Sequence, residues 1–158
     1  MEKNTNQDLR GGVKSVLLVS ADVAIEAKFS SGGVSVTLPS DGATLVTPDD
    51  DSALWSESLS RHEGTQRVEH FLEFTLPMGH PAAELLQHSA KGVIAIVELT
   101  CGTRLLGGYS EEFGAEQPLK TSSLKTSSGR TREDDPLCKV TLTSIDTSEA
   151  RVCTLTQL

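Results

Sequence analysis

Apolar and polar residues alternate with a period of two in several stretches of this chain. Val23, Ile25, Ala27 and Phe29 fall on one side, with Glu26 and Lys28 on the other. After Ser30-Ser31-Gly32-Gly33 the alternation resumes in Val34, Val36 and Leu38. Two alternating runs about a glycine turn predict a β-hairpin. Residues 13–20 predict a strand before it, and residues 43–47 one after the turn at Pro39-Ser40-Asp41-Gly42. The clearest strand signal is 66–76, where Val68, His70, Leu72, Phe74 and Leu76 alternate until Pro77 ends the run. Residues 93–100 are almost continuously apolar, and Cys101-Gly102 turns them into a hairpin partner at 103–107. Residues 139–145 and 151–158 supply the last strands.

Two stretches predict helix instead. Thr47-Pro48-Asp49-Asp50 offers an N-cap, a proline at the first helical position and acids near the positive end of the dipole. The helix expected there covers 48–59, with Leu54, Trp55, Ser58 and Leu59 inward and 61–66 as a linker. Pro81 opens the second, over 81–89, where Ala82, Leu85, Leu86 and Ser89 form a narrow stripe and Lys91-Gly92 closes it. The sum is an α+β, mostly β domain. It is an antiparallel sheet or barrel-like body of about eight strands with one or two short helices. Residues 1–12 read as a flexible N-terminal arm and 13–158 as a single β-rich domain.

One segment breaks the pattern. Leu119-Lys120-Thr121-Ser122-Ser123 is followed at once by an identical copy, Leu124-Lys125-Thr126-Ser127-Ser128. Five is odd, so such an insertion in a strand sends every later side chain to the opposite face. In a helix it rotates the later face by about 140°. An exposed loop tolerates it at little cost. Residues 109–137 are therefore expected to form a long mobile loop. Acids come first in it (Glu111, Glu112, Glu116), then Lys120, Lys125, Arg130 and Arg132, then Glu133, Asp134 and Asp135. A loop of this length without structure of its own is either a solvated segment with no specific role or an arm that orders on a neighbouring subunit. The residues expected to meet a neighbouring subunit are Tyr109, Phe113, Leu119, Lys120, Leu124, Lys125, Arg130 and Arg132.

Composition narrows the range of functions. The 158 residues suffice for one domain with a sizeable core, and 34 Ser and Thr with 13 Gly suit strands and turns. A formal net charge of −8 speaks against duplex nucleic acid as the main ligand, because phosphates call for a basic footprint. With aromatic residues at 4%, a base-stacking platform for single strands is poorly supported. No apolar run reaches the roughly 20 residues of a membrane helix, and residues 1–10 lack the apolar core of a signal peptide. Cys101, Cys138 and Cys153 are odd in number and widely spaced, so with no export signal they read as reduced thiols of a cytosolic product.

Catalytic signatures are missing. There is no Gly-x-Ser-x-Gly elbow, no phosphate-cradling loop and no His-Glu-x-x-His. His70 lies on the inward face of its strand and reads as a hydrogen-bonded core histidine. His80 reads as a cap for the helix that begins at Pro81. His88 is two turns further on, too far to share an ion with His80, and His62 lies in a polar linker. Asp49-Asp50-Asp51 lacks the spacing of a calcium loop and reads as helix capping. Gly107-Gly108 reads as a tight exit from a strand, and Cys101 has no neighbouring base. No catalytic residue, metal or cofactor is expected.

The block Gly107-Gly108-Tyr109-Ser110-Glu111-Glu112-Phe113-Gly114-Ala115-Glu116-Gln117-Pro118-Leu119, with the later Lys139-Val140-Thr141-Leu142-Thr143-Ser144, resembles small phage or prophage-encoded proteins of gut-type bacteria. In these a strand ends in a similar block, a polar loop follows and a Thr-rich strand returns. The likeness covers about a third of the chain, residues 93–147. It implies a virion or tail-region component, self-associating and joined to other particle proteins, made in the cytoplasm and carried into the virion. The function expected is thus a non-enzymatic structural or assembly role, through sheet edges and the long loop. The alternative is a small-ligand or peptide-binding β-domain with a cleft near Trp55 and His70.

Overall fold

A computed structural model describes residues 12–22, 25–38, 43–48, 52–88, 91–110, 114, 116–133, 136–146 and 150–157. In chain order these form β1 (Val13–Ser20), β2 (Glu26–Ser30), β3 (Gly33–Leu38), β4 (Ala43–Val46), β5 (Leu54–His62), β6 (Thr65–Pro77) and α1 (Pro81–His88). There follow β7 (Val93–Leu99), β8 (Arg104–Gly107), β9 (Lys120–Ser127), β10 (Leu137–Asp146) and β11 (Arg151–Gln157). The mostly β class is as the alternation predicts, in two open sheets that do not close into a barrel. One sheet has seven strands in the order β2-β3-β11-β8-β7-β1-β4, the other four in the order β5-β6-β10-β9. No helix of the described residues is long and apolar enough to cross a membrane.

The sheets face each other across a principal core. Val16, Leu18, Val93, Ala95 and Val97 come from the first sheet, and Leu72, Phe74, Leu76, Val140 and Leu142 from the second. Ala82 and Leu86 of α1 join the same cluster. A second core occupies the other face of β1, β7 and β8, where Val19, Ile94, Ile96 and Leu106 meet Val34, Val36, Leu38 and Cys153. β7 therefore has apolar side chains on both faces, which is why its sequence reads as a run instead of an alternation. β11 links the two regions. It pairs antiparallel with β8 at Arg151 and Val152, then parallel with β3 from Cys153 to Gln157.

Two expectations are corrected. The helix expected over 48–59 is a strand from Leu54 onward: β5 pairs antiparallel with β6 along its whole length. The supposed linker at 61–66 is the turn of that hairpin. Glu63 and Gly64 both have positive φ, 53° and 84°, as a two-residue type I′ turn requires. The cap signal at Thr47-Pro48 is local, whereas the Ser56, Ser58, Ser60 alternation fits the pleat of a sheet and the pairing with β6 prevails. Asp49 to Asp51 lie outside the described residues.

The second correction concerns the loop at 109–137, because the repeat within it forms β9. Ser123 pairs with Thr141 and Thr121 with Leu142, so Ser122 is an extra residue in a β-bulge. Its hydroxyl donates to the Thr141 carbonyl at 3.2 Å. The bulge absorbs one residue, so the odd spacing behaves as an even one. Leu119 and Leu124 consequently both reach the principal core. Residues 1–11, including most of the expected arm, lie outside the described residues.

Candidate functional site

Strand register places a polar row at one end of the principal core. Glu57 of β5 lies opposite His70 of β6, which lies opposite Ser144 of β10. All three share the inner face, next to the row of Trp55, Leu72 and Leu142. His70 Nε2 is 3.3 Å from Glu57 Oε1, and its Nδ1 is 3.5 Å from Ser144 Oγ. The Ala150 amide donates to the same Glu57 oxygen at 2.6 Å, tying the start of β11 to β5. Trp55 lies over His70, ring centroids 5.5 Å apart and tilted by 42°. The far edge of the indole sits on Gly107, where a Cβ would come within 2.7 Å of it. Gly107 thus supplies the space for Trp55. The indole N–H is buried and has no acceptor among the described residues.

Serine, histidine and glutamate in this order form the kind of relay that activates a nucleophile. Here His70 is 2% exposed and Ser144 7%, so a substrate carbonyl has little access to either. Asp146, one row further along β10, is also buried. The sequence had singled out Trp55 and His70; the structure brings them together and adds Glu57 and Ser144. Those two were missed because only the register reveals them. His80 caps α1 as expected, its Nδ1 accepting from the Ala82 amide at 3.0 Å.

The residues expected to contact a neighbour divide into two groups. Leu119 is fully buried and Leu124 is packed in the chain's own core, so neither is available to another subunit. Leu119 also exchanges two backbone hydrogen bonds with Val93, at 2.8 and 2.9 Å. Gly108, at φ 82°, permits that close approach: a Cβ there would lie 2.7 Å from the Val93 carbonyl oxygen. Tyr109 is stacked on Phe29, with centroids 6.2 Å apart and planes 8° apart. It belongs to the second core. Phe113 lies outside the described residues. Lys120, Lys125, Arg130 and Arg132 remain exposed, the first two on edge strand β9.

Among the described residues no three His, Cys, Asp or Glu side chains are grouped to hold a metal ion. None of the three cysteines is in a disulfide; Cys138 and Cys153 are buried and Cys101 is half-buried. Burial pushes the Cys153 thiol from 9.0 up to about 11, against a smaller opposing effect of the Arg104 charge, and burial also raises Cys138. Because thiolate is the reactive form, a disulfide reagent at pH 8 is expected to label Cys101 quickly in the folded protein. Cys138 and Cys153 should follow only on unfolding, and prompt labelling of all three would contradict their burial. The raised Cys153 value has a sign for stability. Its favourable contribution is complete below pH 9 and declines toward about 11, as the unfolded chain ionises first.

No family model matches the chain, and no significant match was found among curated proteins or solved structures.

Proposed function

We propose that this chain is a non-enzymatic structural or assembly protein of a phage or prophage particle, of its tail or head–tail region, and that it self-associates through the edges of its sheets. The observation that carries the assembly reading is that both sheets are open and end in strands whose outer edge no described residue pairs, β5 and β9 on the smaller one. An unpaired edge offers backbone donors and acceptors to another chain. Burial of His70 and Ser144 supports a bracing role for the row instead of a catalytic one. The particle assignment rests on the resemblance carried by the block from Gly107 to Leu119. Other particle proteins would be further partners, and the protein would be made in the bacterial cytoplasm before entering the virion.

Sedimentation velocity across a wide concentration range tests the association. A defined oligomer, or one that appears with rising concentration, is expected; a monomer throughout would overturn this reading. A capsid or tail cluster around the gene would support the particle assignment.

A second reading, a small-ligand or peptide site near Trp55 and His70, is favoured by the buried indole N–H that lacks a described acceptor. Trp55 is the sole tryptophan, so a bound ligand would change a single fluorescence signal.

A further inference from the structure

We propose that two copies of this chain pair through the free edges of their β5 strands, antiparallel about Leu59, joining two four-stranded sheets into one of eight. This rests on the self-association reading and assigns it a surface, a partner and a register.

The edges differ in how well they are protected. Four strands lie at sheet ends: β2, β4, β5 and β9. β2 has 5 residues and β4 has 4, too short to template much pairing. β9 carries a bulge and exposed Lys120 and Lys125, devices that blunt an edge. β5 is the longest at 9 residues, without proline or lysine, and its pairing with β6 has no bulge. It also exposes Leu54 by 53% and Leu59 by 47%.

The hairpin turn fixes which backbone groups face outward. His62 and Thr65 flank the two-residue turn and so form a hydrogen-bonded pair. Bonded and non-bonded pairs alternate from there along an antiparallel ladder. Leu54, Ser56, Ser58, Ser60 and His62 therefore direct their amides and carbonyls to β6, while Trp55, Glu57, Leu59 and Arg61 direct theirs to the free edge. A two-fold axis at Leu59 makes these outward groups meet their counterparts. Leu59 then faces Leu59 of the partner subunit, and Glu57 faces Arg61 of the partner subunit, twice by symmetry.

Charge selects this register over its neighbours. An axis at Glu57 sets that carboxylate against itself, and an axis at Ser60 sets Glu57 against the partner's Glu63. An axis at Arg61 sets two guanidinium groups together, and one at Ser58 leaves both charges without an opposite. Of these five axes, all within the span of β5, the Leu59 axis is the one that pairs opposite charges, and directly opposed like charges are unfavourable in a sheet. Glu57 can serve here while keeping its contacts to His70 and Ala150. Both of those are to Oε1, and a carboxylate has a second oxygen for a guanidinium. On the outer face Ser58 would lie beside the partner's Ser60, two small uncharged side chains that fit a seam.

The test uses the full chain. Opposed Cα atoms in a bonded pair lie about 5.5 Å apart, within disulfide range, so Leu59→Cys should give a covalent dimer under mild oxidation. Ser56→Cys is the control. It sits six strand positions from its symmetry mate, about 20 Å, and should stay uncross-linked. Arg61→Glu should raise the dissociation constant about tenfold by sedimentation, and high salt should lessen the difference from wild type. Leu59→Pro removes an outward amide and a half-exposed side chain but no bond to β6, so the monomer should still melt cooperatively while pairing is lost. If the wild type associates but Leu59→Cys does not cross-link and Arg61→Glu has no effect, β5 pairing is overturned while self-association stands. A wild type that stays monomeric at every concentration removes both.

Discussion

Phe74→Ala is expected to destabilise the protein by about 3–5 kcal/mol, the range for truncating a buried aromatic. Phe74 has no exposed surface and lies in the C-terminal half of β6, paired with Val140 of β10. Across the core it shares a cluster with Val16, Leu18 and Ala95 of the other sheet. Both sheets are held by their own backbone ladders, so the cavity left by a missing ring can collapse only in part. Denaturant melts should show a lower midpoint with an unchanged slope, since the surface exposed on unfolding hardly changes. A loss this size is a large share of a domain's stability. Should the alanine variant not fold, Phe74→Leu gives a smaller cavity in the same place and keeps the measurement possible. A change below about 1 kcal/mol for Phe74→Ala would mean that the two sheets do not meet over this ring.

Deleting one copy of the repeat is expected to cost about 2–4 kcal/mol, from lost ladder bonds and lost burial of a leucine. Removing residues 119–123 or 124–128 gives the same chain, because the copies are identical. One leucine then remains for two tasks. Leu119 bonds to Val93 at the start of β7, and Leu124 lies opposite Val140 in the middle of β10. Were this segment an unstructured loop, shortening it from roughly 29 to 24 residues would change the closure term by only a few tenths of a kcal/mol. The two expectations differ by about tenfold, so one thermal melt decides between them. Deleting residues 129–133, which connect β9 to β10, is the matched control and should alter stability little. Equal, small effects from both deletions would show that β9 adds nothing to the fold.

The repeat shows how a sound local argument can mislead. An odd insertion does reverse the faces of a strand, and the sequence alone gave no sign that Ser122 is bulged. A bulge is defined by its partner strand, here the step between Thr141 and Leu142, some 20 positions away along the chain. The basic residues Lys120 and Lys125 fit an exposed edge strand as well as a mobile loop, so charge could not tell the two apart. β5 was hidden for a related reason. Thr47-Pro48 is a good helix start and Leu54-Trp55 with Ser58-Leu59 has helical spacing. The same residues also alternate with period two, and Glu63-Gly64 was the turn signal that could have decided for a hairpin.

What the sequence determined by itself is local in origin. The alternation of 66–76 placed His70, Leu72, Phe74 and Leu76 on an inner face, and each is buried there. Pro81 with His80 set the start of α1, and the unbroken apolar run of β7 marked a strand covered on both faces. These signals depend on residues a few positions apart, where sterics, capping and the pleat act. Tertiary structure alone decided the register. It set Glu57, His70 and Ser144 in one row, and it returned Leu119 and Leu124 to the same core. It also decided that β5, not only β9, ends a sheet, with an edge unpaired among the described residues. Those outcomes depend on which distant strand supplies the hydrogen-bond partners and the opposing apolar face, and no window of neighbouring residues contains that choice.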